Sequence, residues 1–215
     1  MERKVDNLVS LPEDFNAERD LLSLSDPKFV DLKDRLYDEY KGSVSDADNS
    51  DEYFSWISCW IALYSVQTNN LGIGALLVDQ DNKIVSYSHN QVFSPKFRSD
   101  AHAEMLTIND FESRQPSKCN LSGYTIYSSL EPCPMCLTRL IIAGVGRVVY
   151  VADDEYGGMV HLIDLLPKIW QDLRKTGVYT SLECCQNIKN LSSDIFAYNR
   201  ERLDSTLFDG GQIGV

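Results

Sequence analysis

His102-Ala103-Glu104 and, further along, Pro132-Cys133-Pro134-Met135-Cys136 supply three ligand-type side chains and one carboxylate. An imidazole and two thiolates in this pattern suit Zn²⁺, a borderline-soft ion that takes nitrogen and sulfur in tetrahedral geometry. His102, Cys133 and Cys136 fill three positions, and no further Cys or His stands at a finger-like spacing to fill the fourth. A structural zinc site would be closed by the protein, whereas an open position admits water and a substrate. Glu104, two residues after His102, can stay out of the metal's own ligand set and carry protons between that water and a substrate nitrogen. Cys-x-x-Cys also occurs as a redox pair, but such a pair follows the first strand of its domain and needs no His-x-Glu upstream.

The elements that must position these groups follow from periodicity and punctuation. Residues 51–68 read as a largely buried helix, with Trp56, Ile57, Trp60, Ile61 and Tyr64 crowding one side. From Leu71 the pattern changes to strands: 73–78, a turn at Asp79-Gln80-Asp81-Asn82, then 83–88, two antiparallel strands joined as a hairpin. A helix over 101–112 carries His102 and Glu104 near its start, with Asp100 as the expected N-cap. A third strand at 124–129 ends before Pro132, which opens a helix whose first turn holds Cys133 and Cys136 on one side. Both ligand groups then sit at helix N-termini, where the dipole favours negative charge. A fourth strand is expected at 147–152, a helix at 160–175 made irregular by Pro167, a fifth strand at 177–182, and a last helix at 188–203. A helix between the fourth and fifth strands is the crossover that parallel pairing needs.

The chain has 215 residues, which suits one domain with an extension. We divide it into an acidic N-terminal extension with a linker (1–50), a catalytic domain (51–205) and a tail (206–215). Helical periodicity at Phe29, Leu32 and Leu36-Tyr37 marks the extension, and 42–50 reads as linker. The N-terminus has no apolar stretch of the signal-peptide kind, and no apolar run is long enough to span a bilayer. The expected setting is therefore cytoplasmic, with Cys59, Cys119, Cys184 and Cys185 as free thiols. Net charge is −12, and residues 1–54 hold 15 acidic against 7 basic side chains, or −8 of that total. Nucleic-acid binding relies on Lys and Arg to displace counterions from phosphates, so this balance favours a small substrate over a polyanion.

Over roughly residues 51–200 the chain resembles the cytidine deaminase superfamily, closest to the branch of tRNA adenosine, guanine and fungal-type cytosine deaminases. Beside the zinc motif, the segments Gly74-Ala75-Leu76-Leu77-Val78, Ser88-His89-Asn90, Leu130-Glu131-Pro132-Cys133 and Gly146-Arg147-Val148-Val149-Tyr150 fall in the family's order. The resemblance implies a three-layer α/β/α sandwich around a five-stranded mixed sheet, Zn²⁺ as cofactor, and hydrolytic deamination with Glu104 as proton carrier. It implies that Asn90 binds substrate, that backbone at Ala103 and Leu130 brackets the base, that Asp154 faces a ribose, and that the protein is a homodimer. Arg139, on the zinc helix where the tRNA enzymes carry small residues, reads as half of a structural ion pair rather than as an anion site.

From charge and resemblance together, the expected substrate is a free nucleobase or nucleoside-like heterocycle. Deamination of the tRNA wobble adenosine is the alternative, and a basic rim around the zinc mouth would favour it. A catalytically silent, zinc-stabilised partner subunit is a further alternative, against which an intact Glu104 argues.

Overall fold

A computed structural model describes residues 24–43, 51–183 and 186–208. Five strands form one sheet in the order β2-β1-β3-β4-β5: β1 (Gly74–Val78), β2 (Ile84–His89), β3 (Thr125–Leu130), β4 (Arg147–Ala152) and β5 (Val178–Ser181). The first three pair antiparallel, and β3-β4 and β4-β5 pair parallel. Helices cover both faces. On one lie α2 (Asp51–Gln67) and α6 (Gln186–Phe208), with α1 (Pro27–Ser43) packed outside them. On the other lie α3 (Ala103–Arg114), α4 (Pro134–Ile142) and the short α5 (Lys168–Leu173). The expected three-layer sandwich around a mixed sheet is what the chain forms.

Strand alternation divides the core. Leu76, Val78, Tyr127, Val149 and Val151 point into the layer with α2 and α6, whereas Leu77, Ile126 and Val148 point toward α3 and α4. Helix α2 is apolar almost all round because it has neighbours on every side, and an all-round apolar helix is stable only when buried. It lies so close to β1 that a Cβ at Gly74 would sit 2.4 Å from the Ser58 carbonyl oxygen. The apolar stripe of α1, Phe29, Leu32 and Leu36, belongs to this same core, and the Trp56 indole N–H donates to the Leu36 carbonyl at 2.8 Å. Gly42 and Ser43, expected as linker, are the last residues of α1, and the remaining linker residues, 44–50, lie outside the described residues, as do Cys184 and Cys185 and the tail from 209; α6 itself continues to Phe208.

Two expectations are corrected. Asp100 does not cap α3: the N-cap is His102, and the Asp100 carboxylate pairs instead with Arg98 at 3.2 Å. The helix expected over 160–175 is three pieces, a 3₁₀ turn at Ile163–Leu165, α5, and a second 3₁₀ turn at Arg174–Thr176. Pro167 is the cause, since it has no N–H to donate and its ring excludes the preceding residue from helical backbone; it serves as the N-cap of α5. Among the described residues no helix is long and apolar enough to cross a membrane.

Candidate active site

The pairing places the start of β1 beside the ends of β2 and β3, through Gly74 opposite His89 and Ala75 opposite Ser128, and Leu130 opposite Ala152 at the end of β4. The chain leaves the sheet at this edge at Asn90, Leu130 and Ala152, so one rim collects the segments bearing Asn90, Cys133 and Asp154. The carboxyl ends of parallel strands are where open α/β sheets place their ligands. The floor is made of Ile73, Ala75, Ala103, Leu130 and Ala152, which pack together. Ala103 and Leu130, expected on either side of a base, are therefore in one apolar cluster.

Helices α3 and α4 arrive at this rim by their N-termini. His102 is the N-cap of α3 and Cys133 the N-cap of α4, each with extended backbone, and Cys136 lies in the first turn after Cys133. His102 Nδ1 is 3.6 Å from Cys133 Sγ and 3.6 Å from Cys136 Sγ. Tetrahedral bonds of about 2.3 Å to sulfur and about 2.0 Å to nitrogen place N and S roughly 3.6 Å apart. The imidazole nitrogen thus stands from each sulfur at the separation zinc demands, and all three ligand atoms lie within 4.8 Å of one another; among the described residues they are the one group of His, Cys and carboxylate side chains suited to a metal.

The electrostatics fit a cation. A hydrogen bond from the Cys136 thiol lowers the Cys133 pKa to about 4, and Cys136, holding the shared proton beside the Glu104 carboxylate, is pushed well above the ordinary thiol value. Burial lowers the His102 pKa, but Cys133 and the carboxylates of Glu104 and Asp100 outweigh it and raise it overall. A divalent ion at the centre relieves this crowding by holding both sulfurs as thiolates and the imidazole neutral. Glu104 is buried, with Oε2 3.4 Å from Cys136 Sγ and Oε1 accepting from Ser128 Oγ at 3.4 Å. Burial, and then the negative Cys133, raises its pKa above the usual carboxylate range. That suits a group that must both take and return a proton near neutral pH.

Asn90 is held at almost every polar atom. Its N–H donates to the Ile73 carbonyl at 2.9 Å, its carbonyl lies 3.0 Å from Ser65 Oγ and 2.8 Å from His89 Nδ1, and its Oδ1 accepts from the Val92 N–H at 3.1 Å. Only an oxygen can accept from Val92, which fixes which amide atom is which. The Nδ2 group remains buried with no partner among the described residues. An unmet buried donor costs free energy, and an acceptor arriving with a substrate would satisfy it. The neighbouring Gln91 N–H bonds to the Ala101 carbonyl, tying this strand end to the residue before His102.

Asp154 lies in the loop after β4, where its Oδ1 accepts from the N–H groups of Tyr156 at 3.3 Å and Gly157 at 3.1 Å, so the side chain also shapes its own loop. Arg139 pairs with both oxygens of Glu112, at 3.2 and 2.6 Å, and reaches Asn109; it is a structural ion pair joining α4 to α3. The residue that sequence reasoning missed is Glu131. Buried, it accepts at Oε2 from the Asp154 N–H (3.1 Å) and at Oε1 from the His161 N–H (2.8 Å), with His161 Nδ1 also 2.8 Å from Oε1. Its place in the sequence is a signal: Glu131 follows the third strand directly, between Leu130 and Pro132, and a carboxylate buried there must find donors.

Residues 48–152 match the family model for the cytidine and deoxycytidylate deaminase zinc-binding region. The chain is 32% identical over 133 residues to the tRNA-specific adenosine deaminase of Aquifex aeolicus, a match that covers 61% of this chain and 86% of that protein. It is similar to a solved structure of a tRNA:A34 deaminase studied for A-to-I editing at the wobble position of transfer RNA, with a TM-score of 0.53 and 25% identity over 61% of this chain and 98% of the other. It also has the fold of a guanine deaminase from Nitrosomonas europaea, with a TM-score of 0.54 and 20% identity over 70% of this chain and 85% of that one.

Proposed function

From the premise that the chain belongs to the cytidine deaminase superfamily and is a zinc-dependent hydrolase, we propose that it deaminates an adenosine presented in a single-stranded loop of transfer RNA. Water is consumed, ammonia leaves and the amino-bearing carbon becomes a carbonyl, giving inosine. The observation that carries the substrate is the likeness to the Aquifex aeolicus enzyme, which extends over 133 residues and 86% of that protein. A loop base can be splayed out of its stack into a pocket, which is how a protein of this kind reaches the atom it attacks.

In this reading His102, Cys133 and Cys136 hold Zn²⁺, which when bound supplies the Lewis acidity that makes water a nucleophile near neutral pH. Glu104 takes a proton from the attacking water and delivers it to the ring nitrogen, and its raised pKa equips it for both transfers. Asn90 Nδ2 donates to an acceptor on the base or sugar, Ala103 and Leu130 bracket the ring, and Asp154 faces the ribose. The protein acts as a homodimer in the cytoplasm.

A free nucleobase is the second reading, favoured by the net charge of −12. Ammonia release from an anticodon stem-loop, adenosine, adenine, guanine and cytosine decides between them. Turnover of the stem-loop alone supports the proposal; turnover of guanine or cytosine with an inert stem-loop overturns it.

A further inference from the structure

Tyr156 is the most exposed large hydrophobic side chain among the described residues, at 80%, and it stands on the loop that follows β4 at the rim of the site. That loop is tied down. Its Asp154 and His161 N–H groups donate to the buried Glu131 carboxylate, and its Met159 N–H donates to the Pro132 carbonyl, immediately before Cys133. The contact is close enough that a Cβ at Gly158 would lie 2.5 Å from the Glu131 carboxylate. So firm an anchor for a loop whose tip is an exposed aromatic ring calls for an explanation.

The ring is braced from one side. The Arg200 guanidinium, on α6, stands 5.6 Å from the Tyr156 ring centroid and 4.8 Å from that of Phe196, while its Nε donates to Asp204 at 3.2 Å. Phe196 packs on the apolar cluster that holds Ala103 and Leu130, the floor of the site. Tyr156, Arg200 and Phe196 therefore form a continuous stack from the floor outward, in which cation and rings attract each other. Tyr156 offers its remaining surface to whatever enters.

Two arginines near the rim are already paired with carboxylates. Arg98 pairs with Asp100, Arg200 with Asp204, and the Tyr156 loop itself carries Asp153, Asp154 and Glu155. Stacking needs no excess positive charge and accepts any base, because every base has a π-face. Resting on the single-stranded RNA reading above, we propose that Tyr156, braced by Arg200, is a stacking platform that binds the unpaired nucleobase adjacent to the one being deaminated.

The test compares steady-state deamination of an anticodon stem-loop RNA by the intact zinc protein and by Tyr156→Ala and Tyr156→Trp. The same RNA with an abasic residue at each flanking position in turn is the second substrate. Tyr156→Ala is expected to raise KM for the intact RNA about tenfold, to leave kcat and zinc content unchanged, and to be matched by Tyr156→Trp retaining normal KM. One abasic position should raise KM of the wild type by a similar factor and add nothing in Tyr156→Ala, a coupling that a merely structural tyrosine would not produce. An RNA that is turned over with KM indifferent to Tyr156→Ala, or a KM rise equal on intact and on both abasic RNAs, overturns the platform and leaves the substrate reading standing. An RNA that the wild type does not deaminate, while it releases ammonia from a free base, overturns both.

Discussion

Glu104 lies within hydrogen-bonding range of a ligand sulfur and of Ser128, in surroundings that favour its protonated form. Glu104→Gln preserves shape but cannot exchange a proton. It is expected to keep zinc and fold and to lose at least about 10²-fold in kcat, the usual scale for a general acid–base group; normal turnover would place the proton transfer elsewhere. Elemental analysis should find one zinc per chain, and Cys133→Ala should lose it together with thermal stability, since metal and fold are linked. A metal-free, fully active protein would contradict the ligand assignment. The ligands and Glu104 are legible in the amino-acid sequence because ligand chemistry restricts both type and spacing. Asn90 is legible as a motif residue, but its unmet amide is not, because satisfaction of a hydrogen-bond donor depends on neighbours far away in the chain. Glu131 shows the same limit: its partners, Asp154 and His161, are more than twenty residues away.

At the scale of elements, periodicity located every strand and the two ligand-bearing helices, and failed where a local rule was overridden. Asp100 has the right chemistry for a cap but is drawn to Arg98, and the proline in 160–175 divides that segment more thoroughly than a kink would. Helix α2 is aligned by an interaction invisible to local pattern. Asp51, in its first turn, pairs with both terminal nitrogens of Arg147 at the start of β4, each at 2.5 Å, and accepts from the Tyr127 hydroxyl at 2.7 Å. Arg147, followed by the Tyr127 hydroxyl, lowers the Asp51 pKa against the effect of burial. A carboxyl lowered on folding stabilises the folded state above its unfolded value of about 3.9, and that contribution is lost as pH falls through the folded value. Since about a third of each side chain is exposed, solvent screens the pair. We expect Asp51→Asn to cost about 1 kcal/mol at pH 7, measured by urea unfolding, with the gap from wild type closing as pH drops below about 4. A gap that does not change with pH would mean that packing, not charge, is what the substitution removes.

At the scale of the whole molecule, apolar surface is unevenly distributed. Helix α5 has no buried residue, and it presents Ile169 (60% exposed) and Leu173 beside Leu165 (74%) of the preceding turn, with Ile142 at the end of the zinc helix also uncovered. A six-residue helix is too short to be stable on propensity alone. Its inner neighbours Val160, Ile163 and Leu166 pack on Leu137 and Ile141 of α4, so the outer residues lie one layer from the helix that carries Cys136. If the chain forms the proposed homodimer, these exposed apolar residues are the surface we expect a second copy to cover. Sedimentation velocity is expected to show a dimer at micromolar concentration. Leu165→Glu combined with Ile169→Glu should yield a monomer, because both charges would be desolvated across a self-complementary patch. Zinc content should hold in that variant, since neither residue touches a ligand, and activity measured alongside would tell whether the zinc helix needs its partner to keep the rim in place. A wild type that sediments as a monomer throughout, or a double variant that remains dimeric, would remove this surface from the assembly.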